Sequence, residues 1–268
     1  MNREVIYSVK GPRLLPEMTS EEVGEELKHT DIIIFPVGAT EVHGPHLPLA
    51  ADTIQGTDAV RRVVAKCASQ GIRVVGGLPI SLGISMQQMD FPGTISLMPD
   101  TMMAVMRDVC NSVIKHGFRR IVLMMTHDGN LGALCSVAEE ISKQPGVRVL
   151  LVNWLPFLES KSPKFLRAKS DGHAGEGETA RVLATFPELV HLDRAQIGPE
   201  QAGSGPQLEC DLPVAFGGGT FDPPRGLKDR TPIGSFGDPR GATVEAGEKT
   251  YDLLADWISK VIKSHFAL

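Results

Sequence analysis

The chain has 268 residues, of which 42% are apolar and 22% are charged, so it is long enough for one large α/β domain and is not a disordered polypeptide. A formal net charge of −5 argues against nucleic acid and against an anionic membrane as partners. The four cysteines form no C-x-x-C pair, and the sequence has neither a secretory signal nor an apolar run long enough to span a bilayer. These features predict a cytoplasmic protein without a membrane segment.

Short apolar, β-branched runs alternate with longer segments of helical spacing. In chain order, the pattern predicts a strand at 31–37, a helix at 54–69, a strand at 72–78, a helix at 100–117, a strand at 120–126, a helix at 130–144, a strand at 147–154, a helix beginning near Gly175, a long functional loop at 198–243 and a helix at 245–266. Asp100 and Gly117 are expected to cap the second helix. The alternation predicts an α/β fold: a single domain, residues 1–268, with a mostly parallel sheet flanked by helices.

Three groups of polar side chains follow predicted strands or lie in loops beside them. They are Glu41, His43, His46 and Asp52; then His127 and Asp128; then Asp171, His173, Glu176 and Glu178. Ligands of open α/β sheets bind at the carboxyl ends of the strands. Imidazole and carboxylate without thiol suit Zn²⁺, Mn²⁺ or Fe²⁺, and a carboxylate such as that of Asp52 can bridge two ions.

A structural role is the simpler interpretation for any one of these residues. An aspartate in a Gly-rich loop, such as Asp128 or Asp171, often forms a turn. A lone histidine such as His116, just before Gly117, is more often a partner of a helix C-terminus. Spacing alone leaves open whether the three groups converge.

Residues 35–53, FPVGATEVHGPHLPLAADT, resemble the signature loop of the creatininase (creatinine amidohydrolase) family. The resemblance continues in family order through GISMQQMDFPGTISL (83–97), HGFRRIVLMMTHDGN (116–130), DGHAGEGETA (171–180) and IGSFGDPRGATVEAGE (233–248). It implies an α/β fold with a largely parallel sheet, a pair of divalent metal ions, hydrolytic chemistry and usually a homohexamer.

Carried over by position, the resemblance implies two neighbouring metal sites. Glu41, Asp52 and His127 are the ligands of one ion. His43 and the bridging Asp52 are implied as ligands of the other, and Glu178 is the candidate for its remaining ligand. Glu178 is also predicted to be a catalytic residue, together with His173.

The last ligand departs from the pattern of the creatinine-cleaving members. There, a glutamate two residues after the histidine of the third strand completes the second site, and this chain has Gly129 at that position. Glu178 is therefore the expected ligand, and Glu176 is the alternative. His173 resembles the acid/base histidine of the family, and His46 is expected to support the ligands by hydrogen bonding.

Two further departures lie where the substrate should bind. Met125, Thr126 and Asp128 alter the motif around the histidine of the third strand, and Gln87 and Gln88 replace an acidic and a basic residue. A flat ring would favour an aromatic sandwich, yet few aromatic side chains are available for one. The candidates are Trp154, Phe91 and Phe157. Creatinine itself is therefore not expected as the substrate.

The predicted function is that of a metal-dependent hydrolase in which two ions activate a water that attacks a carbonyl carbon. His173 gives a proton to the leaving group, and backbone amides near 93–94 or 129–130 stabilise the oxyanion. The leading substrate is a small non-peptide cyclic amide or formamide. One alternative is a polyhydroxylated cyclic ketone such as a keto-inositol, since Gln87, Gln88 and Asp128 suit hydroxyl groups.

Other classes of function remain as alternatives. A non-catalytic binding protein on the same fold would hold the metal structurally or bind none. A serine hydrolase is disfavoured because the sequence has no G-x-S-x-G elbow, and nicotinamide binding because no G-x-G-x-x-G follows the first strand. The identity of the metal, the substrate and the oligomeric state are left open by the sequence.

Overall fold

A four-stranded parallel sheet forms the centre of the computed structural model, which describes residues 11–161, 164–168, 171–200 and 226–268. The strands, in the spatial order β2-β1-β3-β4, are β1 (Ile32–Val37), β2 (Val75–Gly76), β3 (Arg120–Met125) and β4 (Arg148–Asn153). The predicted parallel sheet flanked by helices is thereby confirmed.

Eight α-helices occur within the described ranges. They are α1 (Ser20–Glu26), α2 (Ala51–Ser69), α3 (Pro99–His116), α4 (Leu131–Ile141), α5 (Leu155–Lys161), α6 (Glu176–Thr185), α7 (Leu227–Arg230) and α8 (Val244–Phe266). None of the helices in this part of the chain combines the length and apolar character that crossing a bilayer requires.

The central strands β1 and β3 are buried on both faces, which explains why they read as continuous apolar runs, whereas the edge strand β4 is mostly half-buried. Ile32 and Ile34 of β1 pack with residues of α2 and α8 in one core cluster. Ile33 and Phe35 point to the opposite face, into a second cluster with residues of α3 and α4. Successive side chains of a strand alternate between faces, so β1 contributes to both layers.

Some predicted elements differ from those observed. The run 72–78 forms only the two-residue strand β2. Beyond it, the chain continues beside β1 through single bonds, such as Gly77 N–H to the Ile34 carbonyl and Ile80 N–H to the Pro36 carbonyl. Asp100 is not the N-cap of α3; Met98 holds that position and Pro99 begins the helix. Helices α1 and α5 were not predicted from the sequence.

The long loop predicted at 198–243 is only partly covered. Its residues 201–225 lie outside the described ranges, and residues 226–243 contain α7 and a 3₁₀ turn at Pro239–Gly241. The extent of the domain, residues 1–268, stays a prediction.

The carboxyl ends of β1 and β3 meet the start of α2. A Cβ on Gly38, the residue after β1, would lie 3.0 Å from both the backbone carbon of Asp52 and Thr126 Oγ1. Thr126, which follows β3, donates its hydroxyl to the Asp52 carbonyl at 3.1 Å. Helix α2 begins at Ala51, earlier than predicted, so Asp52 lies in its first turn. This close approach brings the polar residues of three segments to one edge of the sheet.

Candidate metal centre

Side chains from the ends of β1 and β3 and from the starts of α2 and α6 form three overlapping groups. The ligand atoms of each group lie within 4.8 Å of one another; the groups are Glu41, Asp52 and His127, then His43, Asp52 and Glu178, and then Glu41, His43 and His173. Four of these six residues are buried, and Glu178 and His173 are half-buried. Each of the three sets of polar residues identified from the sequence therefore contributes side chains to this one centre.

Asp52 joins the first two groups, because each of its carboxylate oxygens faces a different histidine. Oδ1 lies 3.2 Å from His43 Nε2, and Oδ2 lies 3.4 Å from His127 Nδ1. The first turn of α2 fixes this carboxylate between the two loops that carry the histidines. A carboxylate so arranged has the geometry of a bridging ligand.

Two carboxylate oxygens in the centre lack the partners that buried oxygens normally have. Glu41 Oε2 and Asp52 Oδ2 are buried and accept no hydrogen bond from any described residue. Buried charged groups in proteins are paired, hydrogen-bonded or bound to metal. These two oxygens are therefore fitted to receive a cation.

Backbone carbonyls orient the imidazole rings of His43 and His127. A carbonyl oxygen can only accept, so His43 Nδ1 carries the hydrogen towards the Glu41 carbonyl at 3.1 Å and Nε2 faces the carboxylates. By the same reasoning, His127 Nε2 donates to the Ile84 carbonyl at 2.8 Å, and Nδ1 faces Glu41 Oε1 at 3.2 Å. In metal-binding histidines, the N–H of the ring nitrogen that does not bind the metal usually donates a hydrogen bond in this way.

The electrostatics of the centre favour positive charge. Burial alone would lower the pKa of His43, but the carboxylates of Asp52, Glu178 and Glu41 raise it to about 10. The pKa of His127 is likewise raised well above its ordinary value by Glu41 and Asp52, against the effect of burial. The pKa of Asp52 is lowered by the two imidazoles although burial alone would raise it. A site in which carboxylates dominate in this way suits divalent cations.

His173 is held beside the same carboxylate from the loop before α6. Its Nε2 donates to the Val42 carbonyl at 2.8 Å, and its Nδ1 lies 3.7 Å from Glu41 Oε1. The ring also packs against that of His43, with centroids 4.5 Å apart. The position of Nδ1 fits either a proton-transfer group or a further ligand.

The two candidate glutamates of α6 point in different directions. Glu178 Oε2 lies 3.6 Å from His43 Nε2 and accepts a hydrogen bond from the Ala174 amide at 2.7 Å. Glu176 instead accepts the backbone amides of Arg167 and Ala168 and belongs to none of the three groups. The geometry therefore favours Glu178 over Glu176 as a ligand.

His46 belongs to none of the three groups either. Thr179 donates its hydroxyl to the Gly175 carbonyl at 2.7 Å, so its oxygen accepts the Nε2–H of His46 at 3.0 Å. Burial and the neighbouring His43 lower the pKa of His46 to about 4. His46 thus connects the loop after β1 to α6 as a neutral ring, which agrees with the supporting role expected for it.

Gly129 leaves no room for a side chain where creatinine-cleaving members are expected to carry a ligand. A Cβ there would lie 2.1 Å from the Ile84 carbonyl oxygen and 2.5 Å from His127 Nε2. The hydrogen bond between those two atoms occupies the space. A ligand from α6 is thus the alternative that this loop conformation permits.

Several residues around the centre were not singled out by the sequence analysis. The buried Asn130 side chain bonds both the Gly38 carbonyl and the Ile84 amide at 2.9 Å, and it thereby fixes the carbonyl that orients His127. Gln55 and Arg181 are buried next to Asp52 and Glu178. Arg181 directly follows the motif at 171–180 that contains Glu178, and it lies one turn after Glu178 on α6.

The structure bears on the aromatic side chains and backbone amides that were expected to contact the substrate. Trp154 is buried in the core and Phe157 stacks on Trp257. Phe91 is half-buried and packs in a cluster with Val42, whose carbonyl accepts the hydrogen bond from His173. The amides of Thr94 and Asn130 already donate to carbonyls, which removes these two as oxyanion donors.

The remaining polar candidates are close in sequence to residues that contact the centre. Asp128 is exposed next to His127, and Asp171 accepts the Gly177 amide at the start of α6. Gln87 and Gln88 are half-buried in a 3₁₀ turn directly after Ser85, whose hydroxyl lies 3.4 Å from His127 Nε2.

The sequence is similar to those of several hydrolases. It is 27% identical to 3-dehydro-scyllo-inosose hydrolase of Thermotoga maritima, covering 92% of this chain and 81% of the relative. It is 28% identical to creatinine amidohydrolase of Pseudomonas putida, over 93% and 96% of the two chains. It is also 28% identical to the mycofactocin precursor peptide peptidase of Mycobacterium ulcerans, over 86% and 84%.

Solved structures share the fold. A candidate creatinine amidohydrolase from Bacteroides fragilis superposes with a TM-score of 0.77 at 26% identity, covering 95% of this chain and 96% of the other. A mutant creatininase of Zn–Zn type and a Mn form of creatininase give TM-scores of 0.75 and 0.74 at 24% identity, each over 94% and 98% of the two chains.

A sequence profile described as creatinine amidohydrolase matches residues 16–262 of this chain. The match includes the segments that carry all six residues of the three groups. It extends over nearly the whole length, from before α1 into α8. The chain therefore belongs to the creatininase family of hydrolases.

Proposed function

We propose that this protein is a hydrolase that depends on two divalent metal ions. Glu41, Asp52 and His127 would hold one ion, and His43, Asp52 and Glu178 would hold the other. The observation that carries the proposal is the carboxylate of Asp52, whose two oxygens lie 3.2 and 3.4 Å from histidine nitrogens of different groups. The unpartnered oxygen of Glu41 in the described structure supports the first site.

When bound, the cations supply Lewis acidity and lower the pKa of water at the centre. The protein contributes fixed geometry: the Glu41 and Ile84 carbonyls hold the rings of His43 and His127 with one nitrogen towards the carboxylates. His173 is held through Nε2 on the Val42 carbonyl, which directs Nδ1 to the centre. We assign to Nδ1 the transfer of a proton to the leaving group, a task suited to imidazole near neutral pH.

The leading substrate is a small non-peptide cyclic amide or formamide. This choice is supported by the relative from Pseudomonas putida, whose name records hydrolysis of creatinine, a cyclic amide. Creatinine itself is disfavoured for this chain because Trp154 is buried and Phe157 stacks on Trp257. Of the three aromatic candidates, Phe91 is the one that packs beside the loop after β1, so two aromatic faces for a ring are not available from this set.

A polyhydroxylated cyclic ketone, such as a keto-inositol, is the second candidate. The relative from Thermotoga maritima is named as a hydrolase of 3-dehydro-scyllo-inosose. Asp128 is exposed beside His127. Gln87 and Gln88 follow Ser85 closely in sequence, and the Ser85 hydroxyl lies 3.4 Å from Nε2 of His127. Amide and carboxylate groups of this kind suit a ring that carries many hydroxyls.

We further propose a cytoplasmic homohexamer that uses Zn²⁺, Mn²⁺ or Fe²⁺. A nitrogen and oxygen ligand set accepts all three metals, so the cell's supply decides among them. The solved creatininase structures of Zn–Zn and Mn type support the first two. The hexamer would have a mass in solution of six times the 28.9 kDa of one chain, which light scattering measures.

Metal removal tests the proposal. The protein is treated with a chelator, dialysed, reloaded separately with each of the three metals and assayed against lactams, formamides and keto-inositols. Activity that disappears on chelation and returns on reloading is expected, with two ions per chain at saturation. Full activity in the metal-free protein would overturn the proposal, and the substrate that is turned over decides between the two candidates.

A further inference from the structure

Arg181 is a buried cation placed behind the second metal site. It lies on α6, one turn after Glu178, and only 3% of its surface is exposed. A guanidinium stays charged in proteins, so burying it is costly unless carboxylates or hydrogen-bond acceptors surround it. The contacts of Arg181 therefore indicate what its charge does.

The guanidinium contacts groups that adjoin the centre. Its Nε donates to Gln55 Oε1 at 2.6 Å, and an Nη atom lies 4.0 Å from Glu178 Oε1. Its carbon lies 5.6 Å from the centroid of the Trp154 ring, which covers it on the side of the core. Gln55, in turn, is fully buried in the second turn of α2.

The bond from Arg181 decides which way the Gln55 amide points. Arginine has only donors, so the amide oxygen of Gln55 must face it and the NH₂ group must face the other way. That NH₂ group lies 3.5 Å from Asp52 Oδ1, the oxygen that faces His43. Without the arginine, the amide can turn and present its oxygen to the carboxylate, which repels it.

We propose that Arg181 is a positioning residue that acts through Gln55 to hold Asp52 Oδ1, and directly on Glu178, for binding of the second metal ion. The inference rests on the proposed function, because it concerns the same centre. It assigns Arg181 no contact with substrate. The first site, formed by Glu41, Asp52 Oδ2 and His127, shares with these contacts only the carboxylate of Asp52, whereas the second site also contains Glu178.

Arg181 also has contacts that a purely structural role would explain. Its charge lowers the pKa of Asp171, which burial raises, and its backbone carbonyl accepts the hydroxyl of Tyr251. A loss of stability on substitution would therefore not distinguish the two roles. The affinity for the second metal equivalent does distinguish them.

The test compares metal titrations of the full-length apo protein and its variants by calorimetry with Zn²⁺ and Mn²⁺. R181M and Q55M are each expected to weaken one metal equivalent by about 10–100-fold, the usual effect of losing a residue that supports a metal ligand. The other equivalent should weaken less, because Asp52 is the only ligand that the two sites share. Because the two residues act in series, the double variant should bind no more weakly than the weaker single variant.

R61M is the matched control. Like Arg181, Arg61 is a buried arginine, with 5% exposure, but it lies on α2. Its guanidinium bonds Glu17 and the Pro12 carbonyl instead of groups at the centre. This variant should lose stability while keeping both metal affinities. Q55M tests the same contact if R181M does not fold.

The outcomes separate the two proposals. A wild-type chain that binds no divalent metal would overturn the proposed function and this inference together. A wild-type chain that binds two ions, with R181M or Q55M binding both as tightly or with R61M weakened equally, would overturn only the role of Arg181. Weakening of one equivalent in both R181M and Q55M, and not in R61M, would support it.

Discussion

Two glutamates on the first turn of α6 offer a test of the ligand assignment at the scale of single residues. E178Q is expected to weaken one metal equivalent by at least tenfold and to lower kcat, because a neutral amide replaces the carboxylate 3.6 Å from His43 Nε2. E176Q is the matched control. It should leave both metal affinities unchanged, because the Glu176 carboxylate bonds the amides of Arg167 and Ala168. Calorimetric titration with metal would contradict the assignment if the two variants exchanged these results.

Gly129 gives a second prediction at this scale. G129A should lower the free energy of unfolding by about 1–3 kcal/mol, since its Cβ would overlap the Ile84 carbonyl and force the loop to move. It should also weaken the metal site of His127, whose ring that carbonyl orients. Denaturant unfolding and metal titration measure the two effects.

Gly132 provides the control for that variant. A Cβ on Gly132 would meet nothing within 4 Å, and the residue lies in α4, so G132A should stabilise the protein by about 0.5–1 kcal/mol. If G129A matched G132A in its free energy of unfolding and in its metal affinity, the loop would have room for a side chain at this position. In that case, Gly129 would not explain the change of ligand.

At the scale of elements, the regular parts of the fold were predictable from local patterns. Strands β1, β3 and β4 agree with the predicted runs to within a residue at each end, because burial on both faces requires continuous apolar sequence. The start of α6 was also predicted, at the Gly175 that precedes it. Helix α1 was missed although it has a capping box, Thr19 with Glu22, that the sequence displays.

Local patterns could not predict which side chains from distant parts of the sequence come into contact. The six residues of the centre were identified by residue type and family resemblance, but the facing of Asp52 Oδ1 and Oδ2 towards different histidines depends on how α2 packs against Gly38. Arg181 and Gln55 carry no motif of their own. Their contact joins residues 126 positions apart, which no periodicity reveals.

The segment before α1 is attached to α2 by an ion pair, which predicts a pH dependence. Burial would raise the pKa of Glu17, but hydrogen bonds from Arg61 and the Leu14 amide lower it overall. A carboxyl group whose pKa is lowered by folding stabilises the fold above its unfolded pKa, and that stability is lost as the pH falls through the folded pKa. E17Q should therefore lose about 1–3 kcal/mol at pH 7 and progressively less, relative to wild type, below pH about 4.

Urea unfolding across this pH range checks the prediction for Glu17. E25Q is the control, because Glu25 forms an exposed pair with Lys28 and exposed pairs contribute little. It should differ little from wild type at either pH. A difference between E17Q and wild type that is constant from pH 7 to pH 3 would contradict the role assigned to the Glu17 carboxylate.

At the scale of the whole molecule, the candidate metal centre joins parts of the chain that are far apart in sequence. Glu41 and His43 follow β1, His127 follows β3, and Asp52 and Glu178 begin α2 and α6. Helices α2 and α6 both pack against α8, on one side of the sheet. Binding of cations at this point would therefore stabilise the contact between the sheet and this helical layer.

This arrangement predicts that metal binding stabilises the folded chain as a whole. Free metal at 100 times its Kd adds about 2.7 kcal/mol per site to the free energy of unfolding, which corresponds to a rise in Tm of roughly 5–10 °C for a chain of this size. D52N removes the carboxylate shared by both sites and should abolish the rise, as measured by calorimetry with and without chelator. D58N, about two turns later on α2, removes the charge and one of the two oxygens that accept from Arg62 and Thr185, and it should lower Tm equally in both conditions while keeping the rise. A D52N protein that still gains stability from metal would mean that the ions bind somewhere other than this centre.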